Sequence, residues 1–378
     1  MRQQLPFLLQ LADDTSPVVR KEVASALTQI PDLKSCYEKL EPTAGQRRAV
    51  QSLLAESGYT SRRLLEGWAA WLKTPDDEER LESALSLVAS FQSEFLHQPA
   101  LPELLDSLAE TFRRRFGPAD VRTLAEFLFG RDGLRGETEN YYDPRNSNLV
   151  DVWISRTGIP ISLCAFYMLV GRRLDLRIEA CNYPEHFLAR VRDEGQTWFV
   201  DCFHQGRFMD GRLVPELAGR VPLHAMSGVL NASVKATAVV ARVLKNLVSA
   251  YQQAEEVADA NLFTFLLKAL ERGGGLPNWP QFAPGVLVRH RSRKFRGVVV
   301  DYDLAFEPDG DRMARDPNLE QQPWYRILVD GSSVVSYSAE SNLRPDSSSD
   351  EVRHPFINYF FQKFEDGLYY RNNLPWPK

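Results

Sequence analysis

The pattern of apolar and polar residues divides the chain into a helical first part, a central region with short strands and a strand-rich end. Up to about residue 130, apolar residues recur at helical spacing. The amphipathic stretches are 14–27, 61–72, 78–91, 101–116 and 119–129. A central helix is predicted from about Ile161, and three short alternating runs predict strands. These runs are 178–183, 186–191 and 197–200.

Beyond residue 230, helical spacing returns and then gives way to strands. The stretch 234–270 predicts a helical hairpin with a break near 257–261. A dense group of glycine and proline residues at 273–284 predicts a linker. The strand-like runs after it predict a small β-barrel or curled sheet, followed by a final helix at 355–364. These runs are 286–290, 297–302, 324–329 and 333–337.

The predicted fold class is α+β, with a helical N-terminal segment, an α+β core and a C-terminal β-barrel. The N-terminal segment, 1–75, contains one helix of HEAT-type pattern, with Ser16 as its cap and Pro17 at its first position. One such unit cannot bury its apolar face alone, so a repeat array is not expected. The core is predicted at 76–272, the linker at 273–284 and the barrel at 285–378.

Composition limits the classes of function. The hydrophobic fraction is 44% and the charged fraction 25%, and no run approaches the roughly 18 apolar residues of a membrane span. A net charge of −5 disfavours a protein that coats nucleic acid or anionic membrane over its whole surface. Four cysteines without metal-type spacing predict free thiols in a reducing cytoplasm, with no bound metal or cofactor.

Three residues of the core have the order of a nucleophile, a base and an orienting acid. Ser162 lies at the start of the central helix, His186 on one predicted strand and Asp201 on the next. A two-residue turn within 193–195 would place the imidazole and the carboxylate on one sheet face, opposite or diagonally adjacent. This layout predicts acyl transfer or hydrolysis.

A non-catalytic interpretation uses the same three residues, and we favour it. A serine hydroxyl is far harder to deprotonate than a thiol, and a helix dipole helps it little. Ser162 would then cap its helix. His186 and Asp201 would belong to a hydrogen-bond network that binds a peptide or supports the fold.

Two further features of the core leave alternatives open. Asn148 could orient an oxyanion, although a turn and a helix cap are favoured for it. Cys181, Cys202 and His204 could form a metal site or a second thiol nucleophile. Structural thiols are favoured, because alternation places Cys202 on the opposite face from Asp201 if that strand continues.

The predicted barrel carries a basic and aromatic group that suits phosphate contact and base stacking. Its members are Arg289, His290, Arg291, Arg293, Lys294, Arg296, Trp324 and Tyr325. The segment 285–378 nevertheless holds 13 Lys/Arg against 14 Asp/Glu, so it is not basic overall. DNA binding would therefore be weak and strongly salt-dependent. The alternative is that these residues face a protein partner.

The segment 81–251 resembles the bacterial SirB-type family, whose core is transglutaminase-like and therefore papain-like. The matching stretches are GLRG from Gly133, NSNL from Asn146, RTGIPISL from Arg156, YPEHFLARV from Tyr183, FVDCFHQG from Phe199 and RVLKNLVSAY from Arg242. Active transglutaminase-like relatives have a cysteine at the helix start, where the helix end lowers the thiol pKa. Ser162 stands at the matching position, as in the SirB-type family, so the resemblance implies a degenerate site.

The segment from Gly285 resembles the hemimethylated-DNA-binding domain, which is also known from the heat shock protein Q family. The matching stretches are GVLVRHRSRKFRGVVVDYD, QQPWYRILVD, AESNL and HPFINYFFQKFEDGLYY. The heat shock protein Q resemblance implies partners in protein quality control, with an ATP-dependent protease among them. Eukaryotic F-box proteins join the same two domains, but the first 40 residues show no F-box pattern, so recruitment to a ubiquitin ligase is not expected.

Together, these features predict a cytoplasmic bacterial adaptor. Its core would hold a polypeptide partner or substrate protein, and its barrel would bind duplex DNA or a second protein. Two alternatives stay open: a Ser-His-Asp acyl hydrolase or transferase, and a regulator that binds hemimethylated DNA.

Overall fold

The computed structural model describes most of the chain. The described residues are 4–74, 77–96, 98–183, 186–193, 195–210, 232, 234–273, 276–307, 322–348, 350–365 and 367–372. Contacts within the chain separate two units, Met1–Val243 and Leu244–Lys378. Among the described residues, no helix is both long enough and apolar enough to cross a membrane.

Helices form the first third of the chain. They are α1 (Leu5–Gln10), α2 (Pro17–Thr28), α3 (Leu33–Glu38), α4 (Ala44–Glu56), α5 (Tyr59–Trp71), α6 (Asp77–Ser93), α7 (Leu101–Phe116) and α8 (Val121–Phe129). Thr43 and Gln46 form a reciprocal capping box at the start of α4. Asp120 caps α8 by accepting from the backbone N–H groups of Arg122 and Thr123. Ser16 occupies the predicted N-cap position of α2 but makes no side-chain cap hydrogen bond.

The core of the first unit is a helix against an antiparallel sheet. Its elements are β1 (Arg135–Gly136), α9 (Leu149–Ser155), β2 (Thr157–Gly158), α10 (Pro160–Arg173), β3 (Ile178–Cys181), β4 (Leu188–Asp193), β5 (Gln196–Asp201) and β6 (Arg207–Asp210). Strands β3, β4, β5 and β6 pair in chain order, and β1 pairs with β2 in parallel. Helix α10 is apolar around most of its surface, and Leu163, Phe166 and Val170 are fully buried. A helix with this pattern must be enclosed by other elements.

The second unit combines helices with an antiparallel sheet. Its strands are β7 (Leu287–His290), β8 (Arg296–Asp303), β9 (Trp324–Val329), β10 (Val335–Ala339) and β11 (Leu343–Pro345), in the order β10-β9-β8-β7-β11. Strands β12 (Phe361–Glu365) and β13 (Leu368–Arg371) form a separate hairpin. The α+β fold class is confirmed, with the strand-rich domain at the C-terminal end.

The predicted helical hairpin corresponds to α11 (Ala236–Gln253) and α12 (Val257–Arg272). The division between units falls inside α11, so α12 belongs to the same unit as the C-terminal sheet. Lys268 of α12 donates to Asp301 Oδ1 of β8 over 3.0 Å. The boundaries predicted at 75, 272 and 284 stay predictions.

Two elements have different bounds in the structure from those that the sequence pattern predicts. The final helix, predicted at 355–364, is only α13 (Ile357–Phe360), and Phe361 begins β12 instead. Pairing of β12 with β13 gives Phe361 and Tyr369 an aromatic contact in the core of the second unit. The strand predicted from His186 begins at Leu188, which leaves His186 in the preceding loop.

Candidate functional site

Ser162 lies in the first turn of α10, enclosed by the core. Ser162 is 2% exposed, and its Oγ donates to the backbone oxygen of Asn146 over 2.5 Å. The N-cap of α10 is Ile159, which makes no side-chain cap hydrogen bond. The cap role considered for Ser162 is therefore wrong. The hydroxyl instead joins α10 to the turn before α9.

Asp201 is buried at the end of β5, and its partner is His204. The carboxylate Oδ2 lies 2.8 Å from His204 Nδ1, and Oδ1 accepts from the His204 backbone N–H at 3.1 Å. Asp side chains commonly stabilise turns by bonding to nearby backbone groups. The His204 side chain is 58% exposed while that of Asp201 is 6% exposed. A buried acid therefore orients an exposed imidazole.

His186 is exposed and lies outside the strand that was expected to carry it. Strand β4 pairs with β5 through Asp193 and Gln196, so two residues connect the strands, as predicted. Within the described part of the chain, the His186 ring makes no hydrogen bond with Ser162 or Asp201. The catalytic assignment of the three residues stays a prediction, without direct hydrogen bonds to support it.

Asn148 is fully buried, and its side chain forms hydrogen bonds with neighbouring residues. Its Oδ1 accepts from the backbone N–H of Val150 at the start of α9, over 3.0 Å. Its Nδ2 donates to Ser93 Oγ and to Asp151 Oδ2, each over 2.8 Å. Both amide hydrogens are thus engaged, so the arrangement supports the cap and not the oxyanion role.

The cysteines of the core are buried and poorly suited to nucleophilic attack. Burial raises the pKa of Cys181 to about 11. Burial also raises the pKa of Cys202 well above its ordinary value, and the neighbouring Cys164 adds to that shift. A thiol needs a lowered pKa to attack at neutral pH. The described residues contain no group of three or more His, Cys, Asp and Glu side chains able to hold a metal ion.

The basic group of the second unit separates into a paired part and an exposed part. Arg289 and Arg296 bind the Asp346 carboxylate at 2.7 and 2.9 Å. His290 is buried, and its Nδ1 accepts from the backbone N–H of Arg293. The turn between β7 and β8 presents three cations of this group at the surface. They are Arg291, Arg293 and Lys294.

The two predicted stacking residues also differ in position. Tyr325 is fully buried, and its hydroxyl donates to Glu340. Burial and this hydrogen bond raise its pKa. A stacking role for Tyr325 is therefore wrong, because its ring belongs to the core. Trp324 is half-buried against the rings of Phe306 and Tyr337, at centroid distances of 4.8 and 5.0 Å.

Two residues that local pattern does not link to His186 and Asp201 lie beside them in the structure. His204 was expected, if functional, to act with the cysteines, although Asp side chains commonly bond to the backbone of a nearby turn. Arg242 was not predicted as a site residue. Its guanidinium donates to Asn182 Oδ1 and, over 3.5 Å, to the His186 backbone oxygen.

Comparisons with known proteins agree with this architecture. The transglutaminase-like superfamily matches residues 99–245, and the family described as hemimethylated DNA-binding protein YccV like matches residues 280–368. F-box only protein 21 of Homo sapiens is 24% identical over 334 residues, which are 65% of this chain and 52% of that protein. No solved structure matches. The transglutaminase-like core and the hemimethylated-DNA-binding-like domain are thus confirmed.

Two bacterial proteins match a larger share of their own length. A UPF0162 protein of Xylella fastidiosa strain 9a5c is 32% identical over 199 residues, which are 50% of this chain and 70% of that protein. A UPF0162 protein of strain Temecula1 is 33% identical over 192 residues, which are 48% of this chain and 68% of that protein. This identity over more than two thirds of the relatives' length shows that the chain, which also has a YccV-like match, belongs to the UPF0162 protein family.

Proposed function

We propose that the chain is a non-catalytic adaptor whose transglutaminase-like domain binds a polypeptide and whose YccV-like domain binds a second partner. The main support for this proposal is the burial and hydrogen bonding of the Ser162 hydroxyl. Its hydroxyl is buried and already donates to Asn146, so it is neither accessible to an acyl substrate nor hydrogen-bonded to a base. General-base activation requires a hydrogen bond, direct or through water, between nucleophile and base.

The surroundings of Asp201 support the same proposal. A base at His186 would need an acid to hold its ring, and the Asp201 carboxylate is occupied by His204. The His204 ring has no hydroxyl or thiol within hydrogen-bond distance among the described residues. The described part of the core therefore presents the exposed imidazole of His204 without a nucleophile beside it, which favours binding over acyl transfer.

An activity-based label tests the core. We expect a fluorophosphonate probe to leave Ser162 unmodified in the folded full chain, as measured by mass spectrometry of tryptic peptides. Ser162→Ala should lower the free energy of unfolding by about 1–3 kcal/mol, because the Asn146 carbonyl loses its buried donor. The matched control is Ser155→Ala, in which the removed hydroxyl belongs to an exposed hydrogen-bond group. Specific labelling of Ser162 that His186→Ala abolishes would establish the hydrolase alternative instead.

Duplex DNA is the second partner that the YccV-like match favours, and the exposed turn gives it a place to bind. Three cations lie on this turn, and each neutralised phosphate contributes about −0.9 to the slope of log K against log salt. We expect that slope to be about −3 or shallower for the full chain. The measurement is fluorescence anisotropy of hemimethylated and unmethylated duplexes between about 50 and 200 mM salt.

Variants of the turn decide between DNA and protein as this partner. Replacing Arg291, Arg293 and Lys294 by glutamine should abolish DNA binding. Arg353→Gln, which removes a cation with an 85% exposed side chain elsewhere in the unit, should not. Equal binding by the triple variant, or none by the wild type, would leave a protein as the second partner. Delivery of a substrate to an ATP-dependent protease in protein quality control would then be the version of the proposal to test.

A further inference from the structure

Among the residues that the structure describes, only neutral groups contact the charge of Arg242 on α11. Its two guanidinium hydrogen bonds go to the Asn182 side-chain oxygen and the His186 backbone oxygen. Its Cζ lies 5.2 Å from the centre of the Phe187 ring. In the part of the chain that the structure describes, no carboxylate pairs with this guanidinium.

Four other arginines with mainly buried side chains are neutralised by acids. The pairs are Arg173 with Glu82 and Asp106, Arg190 with Glu179, Arg296 with Asp330 and Asp346, and Arg326 with Asp303. Arg242 differs, and burial lowers its pKa. An arginine nevertheless stays protonated at neutral pH, so this half-buried positive charge has no acid partner among the described residues. A guanidinium also has five N–H donors, and two of them bond to residues that the structure describes.

Exposed rings lie beside this charge. Tyr141 and Tyr142 are 39% and 50% exposed, and their ring centroids are 5.3 Å apart. Burial raises the pKa of Tyr141 on balance, and Arg242 is close enough for its charge to oppose that shift. His186 is also exposed, and its backbone oxygen accepts from Arg242. Aromatic and arginine side chains together are typical of the centres of protein-binding surfaces.

We infer that Arg242, with His186 and Tyr141 beside it, is a binding subsite for a carboxylate of the polypeptide partner. The guanidinium fork fits a carboxylate with two parallel hydrogen bonds, and partial burial strengthens them. The inference rests on the proposed function, because it names the group by which the core recognises its polypeptide. That carboxylate belongs either to a chain terminus or to an internal Asp or Glu side chain.

Three fluorescein-labelled peptides of one neutral sequence separate these sources. The first has a free C-terminal carboxylate, the second is amidated, and the third is amidated with a central glutamate. They are titrated by fluorescence anisotropy against the full chain. We expect at least one carboxylate peptide to bind at least tenfold more tightly than the neutral amidated one. Arg242→Gln should remove that preference, and Arg242→Lys should reduce it because the planar fork is lost.

A second variant retains the arginine and its packing. Asn182→Asp places a carboxylate where Arg242 already donates. This internal carboxylate should pair with the guanidinium, compete with the peptide carboxylate and weaken the preference for it. Arg131→Gln, at an exposed position of the same unit, should change nothing. Glu185→Gln removes the acid next to His186 in the sequence, and it should leave the preference in place.

The outcomes separate the subsite from the proposed function. If all three peptides bind equally to the wild type, or the preference survives Arg242→Gln, the carboxylate subsite is refuted while polypeptide binding stands. If no peptide binds, polypeptide binding by the core fails as well. Circular dichroism of each variant verifies that the fold is retained.

Discussion

Asp346→Ala is expected to destabilise the C-terminal sheet by about 3–5 kcal/mol. The Asp346 side chain is 2% exposed and receives Arg289 at 2.7 Å and Arg296 at 2.9 Å. Ser348 Oγ donates to the same carboxylate over 2.7 Å. These contacts tie β7 and β8 to the residue that follows β11. Removing the acid leaves the largely buried Arg296 with one acid fewer, and breaking such a pair costs more than making it gains.

Hydrogen–deuterium exchange of the full chain shows which strands lose stability. Amides of β7, β8 and β11 should exchange faster in Asp346→Ala, while those of α10 should be unchanged. Asp350→Asn is the matched control, since it removes an exposed acid of the same loop. Equal protection in the two variants would show that the Asp346 ion pairs do not stabilise the sheet.

The same carboxylate gives the sheet a defined acid dependence. Burial alone would raise its pKa, but hydrogen bonds from Arg289, Ser348 and Arg296 outweigh burial and lower the pKa to about 2. The ordinary value is 3.8, so the folded state binds this proton less readily than the unfolded chain. The stability it contributes is therefore complete above about pH 4 and is lost as the pH falls towards 2. The difference between wild type and Asp346→Asn should shrink over that interval.

Local pattern was enough to predict much of the fold. The strand predicted at 324–329 has those bounds in the structure, and the central helix begins within one residue of its predicted start. Alternation of β-branched and aromatic residues and a proline at a first helical turn are strong local signals. The run after Pro355 was misassigned because its aromatic residues fit either period. Pairing with β13, which local sequence does not reveal, ends that helix at Phe360.

The candidate site depended more on contacts that local pattern does not contain. The His186–Asp201 pair was predicted from strand register, and the register is as expected. Strand β4 begins at Leu188, however, and does not include His186. The Asp201 carboxylate bonds to His204, in the turn that follows β5, instead. In the same way, the exposure of the basic group could not be predicted from neighbouring residues in the sequence. Arg289 and Arg296 are neutralised by an acid at least 50 residues away, while Arg291, Arg293 and Lys294 are exposed on the turn.

Gly285→Ala is expected to detach the β12–β13 hairpin from the sheet. Gly285 has φ +93°, and an added Cβ would lie 2.0 Å from the Tyr369 backbone oxygen. The glycine also accepts from the Tyr369 backbone N–H at 3.0 Å and donates to the Val299 backbone oxygen at 2.7 Å. Alanine cannot keep both bonds, since the chain must move away from β13. Backbone strain of about 1–2 kcal/mol and overpacking of about 1–3 kcal/mol add to a loss of about 2–5 kcal/mol.

Gly273→Ala isolates the clash from the backbone strain. Gly273 has φ +71° in the same unit, but nothing lies within 4 Å of an added Cβ. It should cost only the strain, about 1–2 kcal/mol. Amide exchange in β12 and β13 should therefore rise strongly in Gly285→Ala and little in Gly273→Ala. If both variants behave alike, the close approach of Gly285 to Tyr369 is not what holds the hairpin. The hydrogen bond from Arg371 Nε of β13 to the Val300 backbone oxygen of β8, over 2.9 Å, would then be the next attachment to test.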